Sequence, residues 1–388
     1  MVKSTSMFSQ LLSLIPRNQF EARVREFSAE KGAKGFTCWQ QFVAMLFSQL
    51  GKAQSLREIT GGLRTCEGKL LHLGIHAPKP STLSYANAHR PWQLFQAVFF
   101  DLLQTCQGVA AEKKRKFRFK NKLYSIDSST IDLCLSAYDW AFFRRKKGAI
   151  KLHLRLDHDG YLPDFAVVTE GKVSDIRALC AFDFEPGSIY VFDRGYNDYR
   201  LFGDLCDKGV YFVTRMKDNA RFDVLDSREV SDGWGVISDE EITLSGFYAE
   251  ENCAHTLRRI HYFDVEQNRS FDFLTNNMTL AAETIARIYK ERWQVELFFK
   301  AIKQNLKVKT FVGTTANAVK IQIWTALITF LLLRYLQLRS TFSWALSNLA
   351  ALLRMNLFTY RDILAWVNSP FETPPENLDA EQMRLRLV

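Results

Sequence analysis

Glycine and proline are scarce, with 19 and 9 copies in 388 residues, well short of the roughly 12% combined share of an average protein. A chain so poor in both is not collagenous, linker-dominated or largely disordered. Cysteine is sparse and scattered. The seven thiols (Cys38, Cys66, Cys106, Cys134, Cys180, Cys206 and Cys253) form no C-x-x-C pair and have no histidine at zinc-ligand spacing. They read as buried thiols of a reducing compartment, which excludes a disulfide frame or a zinc site. No long apolar run is present. The most apolar stretch, 321–333, is interrupted by Gln322, Thr325 and Thr329, and it falls short of the ~18 residues that span a bilayer, so a core helix is expected there. No signal-peptide pattern follows Met1 and no repeat is evident, so a soluble, cytoplasmic protein is expected.

What the chain does have is unevenly placed positive charge. Its 51 Lys and Arg against 42 Asp and Glu give a net +9. Residues 1–120 hold 18 of the basic side chains and only 7 of the acidic ones, while the remainder is slightly acidic. Such asymmetry points to a polyanion partner, with nucleic acid first. Residues 8–107 read as mainly helical. Stretch 36–50 is apolar and closed by Gly51, Ser55 and Glu58 form a capping box, and Pro80 opens a further helix with Ser81 as its N-cap.

A basic segment with interleaved phenylalanines, 112–121, marks a boundary and carries Lys113, Lys114, Arg115 and Lys116. Beyond it, β-type runs at 123–127, 150–156, 165–169, 189–192 and 211–216 alternate with helical stretches at 174–182 and 199–208, so the class is α/β. Residues 222–275 hold 4 basic against 12 acidic side chains, with turn glycines. They read as an acidic all-β insertion. From Ala281 to about Ser340 the pattern is helical again. The expected division is a helical N-terminal region (1–111), the basic linker (112–121), a catalytic core in two parts (122–221 and 276–340) flanking the insertion (222–275), and a helical C-terminal region with its tail (341–388).

The most informative stretch is 288–307. At 100° per residue, Tyr289, Arg292, Glu296, Lys300, Lys303 and Lys307 share an arc of roughly 80°, beside a buried face of Ile288, Val295, Phe299, Ile302 and Leu306. A solvated face would explain Arg292–Glu296 and Glu296–Lys300 as i,i+4 pairs. The cationic excess, the tyrosine and the flanking Trp293 suit a phosphate-binding stripe around one metal-ligating acid better. One carboxylate cannot hold two ions about 3.5–4 Å apart, so further hard oxygen donors are required. The candidates are Asp127 and Asp193, each at the end of a β-type run. Asp132, Asp157 and Asp159 compete, although 157–160 reads as a hairpin turn.

Together these residues resemble the acidic triad of DDE transposases. Tyr289-x2-Arg292-x3-Glu296-x6-Lys303 matches the Y-(2)-R-(3)-E-(6)-K signature of the insertion-sequence 4 group, and 193–196 (Asp-Arg-Gly-Tyr) is similar to that group's segment around its second aspartate. The resemblance implies an RNase H-like mixed-sheet catalytic domain with an all-β insertion, preceded by a helical DNA-binding region and followed by helices. It implies that Asp127, Asp193 and Glu296 are catalytic and ligate two Mg²⁺, with Mn²⁺ as a substitute. Tyr289, Arg292 and Lys303, joined along the stripe by Lys300 and Lys307, would hold DNA phosphates.

The implied activity is cut-and-paste transposition: nicking to leave a 3′-OH, then joining of that end to target DNA. Its partners are the element's terminal inverted repeats and the target, bound by a homodimer at the nucleoid, with neither a membrane nor a small-molecule substrate. Some relatives stack a flipped base on an aromatic of the insertion. Trp234 is the candidate here, against a core or turn tryptophan. Arg144, Arg145, Lys146 and Lys147, with Lys113 to Lys116, could track DNA backbone or simply be solvated. His153 reads as a packed strand histidine. A nuclease of the same fold that does not join strands, and an inactive DNA-binding derivative, stay open as alternatives.

Overall fold

The computed structural model describes residues 5–133, 138, 140, 142–144, 147–179, 182–230, 235–305 and 311–372. Before the first strand the chain forms helices α1 (Met7–Leu12), α2 (Arg17–Glu26), α3 (Cys38–Leu50), α4 (Leu56–Thr65), α5 (Glu67–Leu70), α6 (Pro80–His89) and α7 (Gln93–Ala111). Local chemistry sets several of their ends. Thr37 and Gln40 cap α3 reciprocally, and Gly51 closes it. The Ser55 hydroxyl accepts the Glu58 N–H at the start of α4. The cap of α6 falls on Lys79 and not on Ser81, because Pro80, with φ preset and no N–H to satisfy, takes the first helical position.

One mixed sheet follows. Its strands are β1 (Leu123–Leu133), β2 (Phe142–Arg144), β3 (Lys147–Asp157), β4 (Leu162–Glu170), β5 (Ile189–Phe192), β6 (Tyr211–Arg215), β7 (Phe222–Ser227), β8 (Val236–Leu244), β9 (Leu257–Asp264) and β10 (Arg269–Thr275). The order is β2-β3-β1-β5-β6-β10-β9-β8-β7, with β4 also on β3. β1, β3 and β4 are antiparallel, with residues 158–161 turning between β3 and β4, and β5 and β6 run parallel to β1. Helices α8 (Asp175–Leu179) and α9 (Tyr199–Asp207) lie in the connections. The α/β class read from the sequence therefore holds. The acidic insertion continues the same sheet through the β6–β10 pairing and carries a short helix, α10 (Phe247–Asn252), between β8 and β9.

All four residues of β5 are buried, as expected of a central parallel strand covered on both faces. Tyr190 and Phe192 pack with Tyr124, Ile126, Phe202 and Phe212 on one side, and Ile189 and Val191 with Leu123, Val213, Ile285 and Ile288 on the other. The chain then forms α11 (Ala282–Glu291), α12 (Trp293–Asn305), α13 (Ala316–Arg339), α14 (Leu346–Asn356) and α15 (Ile363–Asn368).

The continuous helix read from 281 onward is interrupted at Arg292. There the backbone N–H bonds back three residues to Tyr289, and the Arg292 carbonyl accepts from Val295. The apolar run at 321–333 lies inside α13, whose 24 residues are long and apolar enough to cross a membrane by length and composition alone. Most of α13 is instead buried within the protein. Trp324 and its neighbours fill one core with Phe42 and Phe99 of the N-terminal helices, Leu152 and Leu154 of the sheet, and Leu349 and Trp366 near the other end of the chain.

Candidate active site

The position of the first two acids follows from strand register. Parallel β1 and β5 pair Leu123 with Ile189 and end at Ile126 opposite Phe192. Asp127 and Asp193 are the next residues on strands about 4.8 Å apart, so they lie side by side at the carboxyl edge of β5. Asp193 caps a short 3₁₀ turn, Arg194–Tyr196, which ends that strand. Asp127 is not at a strand end. β1 runs on to Leu133 because β3 still pairs with it antiparallel, Asp127 opposite Leu154 and Leu133 opposite Gly148. Burial falls from complete to partial at Asp127, where β5 stops.

Helix α12 brings the third acid. Arg292, at the break between α11 and α12, places Nη2 2.6 Å from Glu296 Oε1 and Nη1 3.7 Å from Asp127 Oδ2. The Tyr289 hydroxyl lies 3.5 Å from Asp193 Oδ1, and the Arg292 guanidinium stands over its ring. One tyrosine and one arginine of the signature thus touch all three carboxylates. Burial pushes the Asp127 carboxyl up to about 6, aided by the charges of Glu296 and Asp193. The Ser128 N–H donated to it (2.8 Å) and Arg292 act the other way. Burial also raises the Tyr289 phenol, against Arg292 and Arg215.

The remaining stripe is divided. Lys303 donates to the Thr130 carbonyl (3.0 Å), three residues along the strand from Asp127. Lys300 is exposed and forms no ion pair among the described residues, so the Glu296–Lys300 pairing is not made and Glu296 turns to Arg292 instead. Lys307, Arg145, Lys146 and Trp234 lie outside the described residues. Arg144 and Lys147 pair by their backbones across the β2–β3 hairpin. In the linker, Lys116 is bound to Glu291 and Arg115 to Asp159, whereas Lys113 and Lys114 are exposed. His153 is buried, with Nε2 2.9 Å from the Thr169 hydroxyl, as a packed histidine should be.

Two residues near the acids were not singled out by the sequence. Asp175 accepts from the Ser128 hydroxyl (2.6 Å) and from Lys151 (3.2 Å). Its charge is compensated beside Asp127, which makes it a brace and not a free donor. Arg215, at the carboxyl end of β6, acts on Tyr289 and stands over the Phe271 ring. A cation ending the third parallel strand was the available signal. From Asp193, Tyr289 and Arg292 a groove of about 650 Å³ extends past Arg215, Arg269 and Phe271.

Among the described residues no three His, Cys, Asp or Glu side chains stand close enough to hold an ion as they are placed, since the Arg292 guanidinium lies between Asp127 and Glu296. The donor chemistry nevertheless fits a hard divalent cation. The three carboxylates gathered around Arg292 and Tyr289 have no thiol among them, a set suited to Mg²⁺ or Mn²⁺. Neighbouring acids, one of them raised by burial and further by the other two, form a negative centre that a cation would relieve.

Residues 118–332 match the family model described as a transposase DDE domain, and residues 3–76 match a domain family of unknown function. The "putative transposase y4zB" of Sinorhizobium fredii is 32% identical over 305 residues, which is 77% of this chain and 82% of that protein. The probable transposase for insertion sequence element IS5377 of Geobacillus stearothermophilus is 28% identical, over 66% of this chain and 67% of its own. Among solved structures, a piggyBac transposase synaptic complex with hairpin DNA aligns with a TM-score of 0.43 and 9% identity, covering 95% of this chain and 82% of that one.

Proposed function

The chain belongs to the DDE transposases, and on that premise we propose that Asp127, Asp193 and Glu296 are the acids with which it cuts and joins DNA at the ends of its own mobile element. The observation that carries this reading is the β1–β5 register, which sets two carboxylates side by side while Arg292 links the third to them. The spacing of Tyr289, Arg292, Glu296 and Lys303 supports a place in the insertion-sequence 4 group.

Two Mg²⁺ held by the three acids would supply charge neutralisation at the phosphate oxygens and a more acidic attacking hydroxyl. The protein's own groups do the rest. Arg292 has a planar fork suited to a phosphate once it leaves the carboxylates. Tyr289 orients Asp193 through its hydroxyl. Lys303 and Arg215 flank the site with positive charge for the DNA backbone. Water attacks the phosphorus at the element's end and the 3′ oxygen leaves as a 3′-OH. That hydroxyl then attacks the phosphorus of a second phosphodiester in line at the same site, forming a new ester bond as the target strand's 3′ oxygen leaves. Double-stranded terminal repeats and target DNA are the partners, bound by a homodimer at the nucleoid.

Asp127→Ala, Asp193→Ala and Glu296→Ala should each abolish Mg²⁺-dependent cleavage of an end-bearing duplex while leaving end binding largely intact. Cleavage retained by any variant removes that residue from the triad. Cleavage by the unaltered protein without strand joining would favour the nuclease reading.

A further inference from the structure

A second cleft, of about 690 Å³, lies apart from the three acids, between the linker, the β3–β4 turn and the carboxyl end of α13. Its cations fall into two sets. Lys116 is bound to Glu291, Arg115 lies 2.9 Å from Asp159, and Lys122 lies 3.1 Å from Asp157 and 3.2 Å from Asp159. The other three have no carboxylate within ion-pair distance among the described residues: Lys113 and Lys114 on the linker, and Arg334 on α13. Arg334 donates only to neutral oxygens, from Nε to the Gly160 carbonyl (2.7 Å) and from Nη1 to Gln337 Oε1 (2.9 Å), and it stands over the Tyr161 ring. Burial lowers its pKa, opposed by the Tyr161 phenol and by no carboxylate. On the same wall His158 bonds the Ser125 hydroxyl through Nε2 (2.7 Å), while its buried Nδ1 has no hydrogen-bond partner.

A partly buried guanidinium among neutral acceptors, faced by two uncompensated lysines, is suited to an anion that makes charge-assisted bonds. We propose that this cleft binds a phosphate group, held by Arg334, Lys113 and Lys114. Phosphate can come from a DNA backbone passing along the linker or from a free anion. The DNA source rests on the proposed function and the free anion does not. The cleft also adjoins the site. Glu291, which holds Lys116 and accepts from the Tyr161 hydroxyl (3.0 Å), is the residue before Arg292.

The full-length protein and two variants, Lys113→Ala/Lys114→Ala and Arg334→Gln, decide it in two measurements. One is the shift in melting temperature with inorganic phosphate or pyrophosphate against chloride at equal ionic strength. The other is anisotropy of an end-bearing duplex over a salt series. The double variant should shrink the slope of log K against log[salt] by about two units, or lose the phosphate-dependent shift, or both. A changed slope alone assigns the DNA backbone, and a lost shift alone assigns a free anion. An unchanged slope together with an unchanged or absent shift overturns the proposal. If Arg334→Gln fails to fold, the exposed lysines still decide. A protein that binds no DNA would sink the proposed function while leaving the phosphate measurement to judge the cleft.

Discussion

Arg292 holds its three acidic neighbours together electrostatically. With its side chain mostly buried, it bonds Glu296, faces Asp127 and stacks over Tyr289, which itself reaches Asp193. A point charge on a flexible stem cannot reproduce that fork. Arg292→Lys should therefore behave nearly as Arg292→Ala, each lowering the cleavage rate by about 10²-fold or more, the scale set by loss of one preorganised donor. Single-turnover cleavage at saturating protein checks this, and a lysine variant with full rate would show that charge alone suffices. Among the pH-sensitive residues, with His158, Asp127 and Asp164, is His153. Burial holds it down to about 4, below the ordinary ~6.5. The unfolded chain therefore binds more protons than the folded one between those values, and stability falls as pH falls. Its own share of the loss should reach about 2 kcal/mol by pH 5 and be absent above pH 7. His158, held down likewise, and Asp127 and Asp164, held up, titrate in the same window. Urea unfolding at pH 7.5 and 5 is therefore compared between the protein and His153→Gln, and the difference between the two pH values should change by about that share.

Among the elements, those whose residues pack on themselves were legible. Runs 189–192 and 211–216 are apolar and aromatic enough to be strands in any context, and β5 and β6 lie there. The far half of β1 was not legible, because the β-type run ends at Asp127 and the polar Ser128, Ser129 and Thr130 carry no apolar alternation beyond it. Only the antiparallel partner β3 keeps them extended. The break at Arg292 was hidden for the opposite reason. Lys290, Glu291 and Arg292 are all good helix formers, so nothing local announces an end, and the break comes from packing two helices over different parts of the sheet. Spacing gave Tyr289, Arg292 and Glu296 their common face. Arg215 and Asp175 belong to no motif and are recognisable only once β6 and α8 are in place.

The insertion is tied to this frame by Arg258 on β9. It forms a buried fork with Asp239 on β8 (2.7 and 2.6 Å) and donates to the Leu280 carbonyl just before α11 (2.6 Å). Arg258→Met strands the buried Asp239 carboxylate and should cost about 3–5 kcal/mol, while Arg258→Met/Asp239→Leu should recover most of it. Chemical denaturation of the two variants tests the difference.

At the scale of the whole molecule, the two ends of the chain form one helical body. The Met7 and Phe8 N–H groups donate to the Thr359 and Leu357 carbonyls, and Gln10 accepts from the Ile363 N–H. α3 and α7 share their core with α13, and with strands β3 and β4 and helix α14. The basic N-terminal region therefore depends on the rest of the chain, and a fragment of residues 1–120 should show no cooperative melting by circular dichroism. A sharp transition in that fragment would mean its helices are sufficient by themselves.

That shared core also sets a clock. α13 begins more than 260 residues after α3 ends and more than 200 after α7 ends, so at about 5–20 residues per second the ribosome leaves the apolar face of α3 uncovered for roughly 15–50 s and that of α7 for roughly 10–40 s. During that interval the sheet can assemble from its own neighbours while the N-terminal helices wait. Ribosome-stalled chains ending near residue 300 should be cleaved by protease within 1–111, and chains extended through α15 beyond the exit tunnel should resist. Synthesis through α13 thus becomes a condition for a finished N-terminal region.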